Sequence, residues 1–306
     1  MKKHEGRGVR PVNILFDALR AALALRLLVL WTVGSILPTA VAAIPLWRLL
    51  ARALDHSPRA ADFAERADAL VFEDLVVAFA RSAAPVGGAT LVATIVAALS
   101  WPFWAGVALG AERAEGPLGF TSLLLRGVTW YGRMFRIWLV SLLPVSLIGA
   151  VAALAWKAAA KHEHQAILES QARLGWRVAL VVTLLFFVLL HATVEAGRAE
   201  LGADESLHSG WRAWIRGVRL MMSRPFPVLG LYLGATAASF AVAAFFLVLR
   251  LRVIGASGAS FLLGFVLTQL AVAAIGWGRA SRLFALAALA RARNHAPSVV
   301  SSAQRA

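Results

Sequence analysis

Six stretches of about twenty or more apolar residues punctuate the chain: 27–50, 85–110, 134–156, 176–197, 225–249 and 260–278. A bilayer core about 30 Å thick takes roughly 20 residues of helix. Each stretch therefore predicts one membrane-spanning helix. The last pattern runs on as a helix into "RASRLFALAALARAR". Pro38, Pro45, Pro102 and Pro144 fall inside spans. Proline removes a backbone hydrogen bond, and neighbouring helices and side chains can satisfy the freed groups. The expected fold class is all-α: a polytopic membrane protein of six helices, residues 1–306 forming a single integral domain.

Between the spans the periodicity changes. In "DESLHSGWRAWIRGVRLMMSRP", 204–225, Leu207, Trp211, Trp214, Ile215, Val218 and Met222 recur at helical spacing. Arg212, Arg216 and Arg219 form a second stripe, and Asp204 is placed to cap the helix. Tryptophan beside arginine in this pattern predicts an amphipathic helix on an anionic leaflet. Those five residues, Trp211, Trp214, Arg212, Arg216 and Arg219, are the expected contacts to lipid or to a partner. Segment 117–134 repeats the pattern more weakly, with Pro117 suited to a first turn. Residues 1–26 form a basic amphipathic stretch ahead of span one. The run 57–83 predicts an acidic helix on the far side, and 294–306 a flexible tail.

A repeat underlies this layout. "LRGV" at 125–128 and "IRGV" at 215–218 each precede an odd-numbered span. Span four closes with Gly197-Arg198 and span six with Gly278-Arg279; span two ends more loosely, with Gly110 and Arg113. Three parallel copies of one unit account for this: inner helix, span out, outer loop, span in. Duplication and convergence on one hairpin solution both remain open. The layout resembles uncharacterised bacterial six-helix inner-membrane proteins with an amphipathic helix before each odd span and an arginine closing each even one. That resemblance is architectural and implies no activity.

Charge sets the orientation. Segments 1–26, 111–136, 198–224 and 279–306 hold 20 of the 31 Lys and Arg, while the 16 acids divide almost evenly between the two sides. The positive-inside rule then puts both ends in the cytoplasm, and the bacterial inner membrane is the expected location. Composition agrees: 60% of residues are hydrophobic and 15% charged, against about 25% charged in soluble chains. The net charge of +15 flanks apolar runs, so nucleic acid is not the expected partner. The expected partners are anionic lipid and a membrane protein or a second copy of the chain. Trp31, Trp47, Trp101, Trp104, Trp156, Trp176 and Trp277 fall near predicted span ends, where indole rings favour the headgroup region.

Candidate chemistry is sparse. The chain has no cysteine, and its histidines lack metal-site spacing, so no metal or cofactor is expected. "GASGAS", 255–260, resembles the Gly-Xaa-Ser-Gly nucleophile motif of rhomboid proteases. A nucleophilic serine needs a base within hydrogen-bond reach. Ser257 opens the last span, so no later span can supply one; His295 lies a bilayer away, and His191 sits near the inner end of span four while Ser257 is at the outer side. The segment therefore reads as a turn with Ser257 or Ser260 capping span six, and no catalytic residue is assigned. His191, Glu195 and Arg198 share one face of span four, and Gln269 is polar within span six; these four are the candidate intramembrane polar site. The expected function is non-enzymatic, an accessory or membrane-organising component. The alternative is a transporter or channel subunit for a small molecule or lipid.

Overall fold

The computed structural model describes residues 10–55, 83–114, 118–166, 168–253 and 257–294, with isolated positions between. Their regular structure is helical: α1 (Pro11–Ala21), α2 (Leu25–Leu54), α3 (Ala83–Glu112), α4 (Phe120–Gln165), α5 (Glu169–Ala203), α6 (Gly210–Ser223), α7 (Pro225–Leu251) and α8 (Gly258–Asn294). Six of these, all but α1 and α6, are long and apolar enough to cross a membrane. Each contains one predicted span. The chain is an all-α, multi-pass protein.

Two boundaries differ from expectation. Segment 117–134 and span three form one helix, α4, of 46 residues; at 1.5 Å per residue it is about 69 Å long. Nothing stops the helix there, because no proline lies between Phe120 and Pro144. By contrast, Arg224 leaves the helical region (φ −140°, ψ 61°), as expected of a residue before proline, and this separates α6 from α7. The cap of α6 is also not Asp204. Ser209 Oγ accepts from the Arg212 amide, while Asp204 ends α5 and accepts from the Ser206 amide and hydroxyl at 2.9 and 2.6 Å. The expected 57–83 helix and the tail from 295 onward fall outside the described residues, apart from isolated positions.

One packing scheme occurs three times. Within each unit the two long helices pair: α2 with α3, α4 with α5, and α7 with α8. The leading helix of each unit packs on the second long helix of the unit before it. The start of α4 lies on α3, where a Cβ on Gly127 would stand 2.6 Å from Val107. Helix α6 lies on α5, where a Cβ on Gly217 would stand 2.6 Å from the Thr193 carbonyl. The ring closes with α1 on α8: Trp277 Nε1 donates to the Leu19 carbonyl at 2.9 Å. Ile14 and Ala18, Leu123 and Gly127, and Ala213 and Gly217 are buried four residues apart in the three leading helices. Four-residue spacing puts each pair on one helical face.

The core gathers at one end of the bundle. Ala105–Gly110 of α3, Ala192–Gly202 of α5 and Ala280–Ala287 of α8 are buried along unbroken runs. A helix buried on all faces has protein around it on every side. These three segments form a central hub, encircled by α1, the start of α4, and α6. Away from the hub the hairpins part. Between Leu142 and Ala158 only Pro144 is buried, and among the described side chains between Glu169 and Leu190 only Ala179. A small second core of Ala243, Ala271 and Ala274 holds α7 to α8. Several tryptophans serve packing. The Trp31 ring lies against Gly276 and the Trp104 ring against Gly34, because only glycine leaves room for indole against a helix backbone. Trp47 and Trp156 remain exposed.

Candidate functional site

The hub ends of α5 and α8 bring charge into the core. Helical spacing puts His191, Glu195 and Arg198 on one side of α5. Arg198 donates to Glu195 Oε1 at 2.7 Å, and His191 Nε2 lies 3.7 Å from the same oxygen. Glu195 is 3% exposed and Arg198 6%. Burial of that kind requires the pairing that is present. Tyr232 of α7 orients the imidazole: its hydroxyl lies 2.9 Å from His191 Nδ1, and the Phe187 ring stacks on the other side.

Helix α8 adds two cations. The Arg279 guanidinium lies 3.8 Å from the centroid of the Trp101 ring and 5.5 Å from that of Trp31, a cation–π arrangement. Arg282, 8% exposed, donates to Thr236 Oγ1 at 2.9 Å and lies over Tyr232. Its Nε has no hydrogen-bond partner among the described residues. Glu195, Arg198, Arg279 and Trp101 enclose a cavity of about 20 Å³, enough for one water.

Three of the four residues expected at an intramembrane polar site therefore meet. Gln269 does not. It lies ten residues before Arg279 on α8, about 15 Å along the axis, and no described hydrogen bond reaches it. Arg282, Tyr232, Thr236 and Trp101 join the α5 triad without any signal in the spacing, whereas Arg279 is the arginine that the repeat relates to Arg198. The signal available for Arg279 was the Gly278-Arg279 echo of Gly197-Arg198.

Two larger spaces adjoin the hub. One is a crevice of about 590 Å³ between α3, α4 and α5, with mostly apolar walls and with His191 and Arg198 in its lining. The other, about 700 Å³, opens where α3, α5, α6 and α8 end, and Arg113, Arg216, Arg219, Arg291 and Arg293 line it. Ion pairs fasten its rim: Arg291 with Glu112, Arg293 with Glu200 at 2.7 Å, Arg216 with Asp204 at 2.6 Å, and Arg113 with Glu205. Hydrogen bonds from Ser206 and then from Arg216 hold the Asp204 carboxyl down at about 2.

The five residues expected to face lipid or a partner divide. Trp211 is half-exposed and Met222 78% exposed; Arg212 and Arg219 are exposed as well. Trp214 instead turns to α5 and donates to Thr193 Oγ1 at 3.1 Å, and Arg216 turns to Asp204. The buried side of α6 carries the small residues Gly210, Ala213 and Gly217, followed by Leu220 and Met221 in its last turn. At the start of α8, Ser257 Oγ accepts from the Ser260 amide at 3.2 Å and lies 2.9 Å from its hydroxyl. That is a helix cap, with no histidine among its described partners. No group of three or more His, Asp or Glu able to hold a metal occurs among the described residues. No protein-family model, no curated protein and no solved structure matches the chain.

Proposed function

We propose that this is a non-enzymatic accessory or organising protein of the bacterial inner membrane, whose hub-side surface grips anionic lipid headgroups. The observation that carries this reading is the three-sided character of α6. Gly210, Ala213 and Gly217 fasten it to the bundle. Trp211, Ile215, Val218 and Met222 form an apolar stripe that the bundle leaves partly or fully uncovered, and Arg212 and Arg219 stand exposed on the next stripe. An interfacial helix needs both an apolar stripe for the acyl boundary and a basic one for headgroups. Each basic residue near an anionic surface contributes about 1 kcal/mol. The excess of Lys and Arg on this side supports a cytoplasmic orientation.

The test uses the absence of cysteine. Met222→Cys carries a spin label in nanodiscs of phosphatidylglycerol and phosphatidylcholine. The label is expected to be open to oxygen and shielded from a water-soluble nickel complex. Arg212→Glu with Arg219→Glu is expected to lower phosphatidylglycerol enrichment around the protein. A label open mainly to nickel, or enrichment unchanged in the double variant, refutes the reading.

Transport of a small molecule or lipid is the second reading, favoured by charge buried beside an intramembrane crevice. Its test is flux in proteoliposomes, expected to fail on Glu195→Gln; unchanged flux removes Glu195 from any path.

A further inference from the structure

The crevice between α3, α4 and α5 has a polarity that its volume alone does not convey. Its α5 wall runs from Phe187 to Arg198, eleven residues or about 16 Å along the helix. Away from the hub the walls are Thr94, Ala97, Val145, Ile148 and Gly149. Toward the hub they are Trp101, Trp138, His191 and Arg198. The space is thus apolar along most of its length and cationic at one end. A volume near 590 Å³ lies within the usual range for small-ligand sites, about 300–1,000 Å³.

Charge defines what belongs at the cationic end. Arg198, Arg279 and Arg282 face one another's surroundings with Glu195 as the carboxylate among them. Buried charge is retained where it is paired. Arg198 gives one N–H to Glu195 Oε1. A guanidinium has five such donors, and no other acceptor for Arg198 occurs among the described residues. Arg279 rests on tryptophan rings, and Arg282 leaves Nε without a partner. The cluster holds more cation than its one carboxylate balances. Trp101 and Trp138 flank this end, and indole rings favour the level of lipid headgroups.

We propose that the α3–α4–α5 crevice binds one anionic amphiphile, its alkyl chain along the wall from Thr94 to Ile148 and its acidic headgroup on Arg198. The anion is a phosphate diester if the occupant is a phospholipid and a carboxylate if it is a free fatty acid. This site is separate from the α6 surface and stands whether or not α6 grips headgroups.

The full chain is reconstituted in nanodiscs of equal phosphatidylglycerol and phosphatidylcholine with a trace of oleate. It is then released into mild detergent and weighed by native mass spectrometry. One retained adduct is expected, with phosphatidylglycerol favoured over phosphatidylcholine by about fivefold: both present a phosphate diester, but the choline cation of the latter is set against the arginine cluster, and one unit charge near such a surface is worth about 1 kcal/mol. Retained oleate identifies the carboxylate form. Gly149→Trp is expected to remove the adduct without disturbing the fold, because a Cβ at Gly149 meets nothing within 4 Å. Ala98→Phe blocks the opposite wall and is expected to do the same. Glu195→Gln with Arg198→Gln keeps a neutral hydrogen-bonded pair; it is expected to retain an adduct but lose the anionic preference. Equal adducts in the wild type and both blocking variants, or a lipid ratio in the wild type equal to that of the disc, overturns the proposal.

Discussion

Gly217 is the position at which the smallest change in sequence should do most to the hub. A Cβ there would stand 2.6 Å from the Thr193 carbonyl and 2.8 Å from Gly197 Cα. Ordinary contact begins near 3.4 Å and the Gly197 nitrogen lies nearer still than the Thr193 carbonyl, so α6 must retreat by about 1 Å if alanine replaces glycine. Both obstructing groups are α5 backbone, which has no rotamer to change. A gap of 0.5–1 Å forfeits about a quarter to a half of each dispersion contact across it. Gly210, Ala213 and Leu220 share that face, and the Trp214–Thr193 hydrogen bond spans it. Overpacking of this kind costs about 1–3 kcal/mol; rigid neighbours put Gly217→Ala near the top of the range. Alanine returns about 1 kcal/mol of helix propensity, leaving a net loss of about 1–2 kcal/mol. Gly132 and Gly230 supply controls, because a Cβ on either meets nothing within 4 Å. There the propensity gain stands alone, and alanine should stabilise. Thermal unfolding in one detergent reads all three. Gly217→Ala matching the wild type, or losing less than Gly132→Ala, refutes the close-approach account of this repeat.

Two further outcomes follow from contacts at the hub. Trp277→Phe removes the donor to the Leu19 carbonyl, a bond worth about 1 kcal/mol; amide exchange in α1 should quicken about fivefold while α6 is unaffected, and equal exchange in both proteins would count against α1 docking through this bond. The folded pKa of Asp204, about 2, lies below its ordinary 3.8, so its stabilisation is complete above pH 3.8 and is lost as the pH falls toward 2. The advantage of the wild type over Asp204→Asn in thermal melts should therefore shrink over that interval, and a constant gap would show that the Ser206 and Arg216 contacts do not set it.

The six spans were legible because a hydrophobic run of bilayer length has one economical structure. The break at Arg224 was legible too, since Pro225 forbids a smooth continuation. The break between α1 and α2 falls in "RAALAL", where no residue announces it; Ala22 caps α1 with helix-like backbone angles and Ala24 leaves that region. The α5 triad could be read from spacing alone, because four residues make one turn of one helix. Its neighbours could not. Arg279, Arg282 and Tyr232 reach it only through helix pairing, which hydropathy does not encode. Gln269 stands apart from the triad for the same reason: polarity inside a span says nothing of which helices surround it. On α6 the apolar stripe was correctly periodic, yet the bundle is gripped by the small residues between its members. In a membrane, small residues let backbones approach, while large apolar ones are equally at home in lipid.

The closure of the ring by α1 and α8 bears on how the protein is made. As the chain leaves the ribosome, α4 can settle on α3 at once, and α6 on α5 soon after. Helix α1, though emerging before all of these, has its seat on α8, with 258 positions separating Trp277 from Leu19. Until α7 brings Gly234 against Leu15 and α8 brings Trp277 to Leu19, the buried face of α1 has only the membrane surface to lie on. The hub is then completed when α7 and α8 meet α1, so that a chain halted before them displays an unseated α1. Ile14 and Ala18, sealed in the finished protein, are then the last part of the hub to be covered.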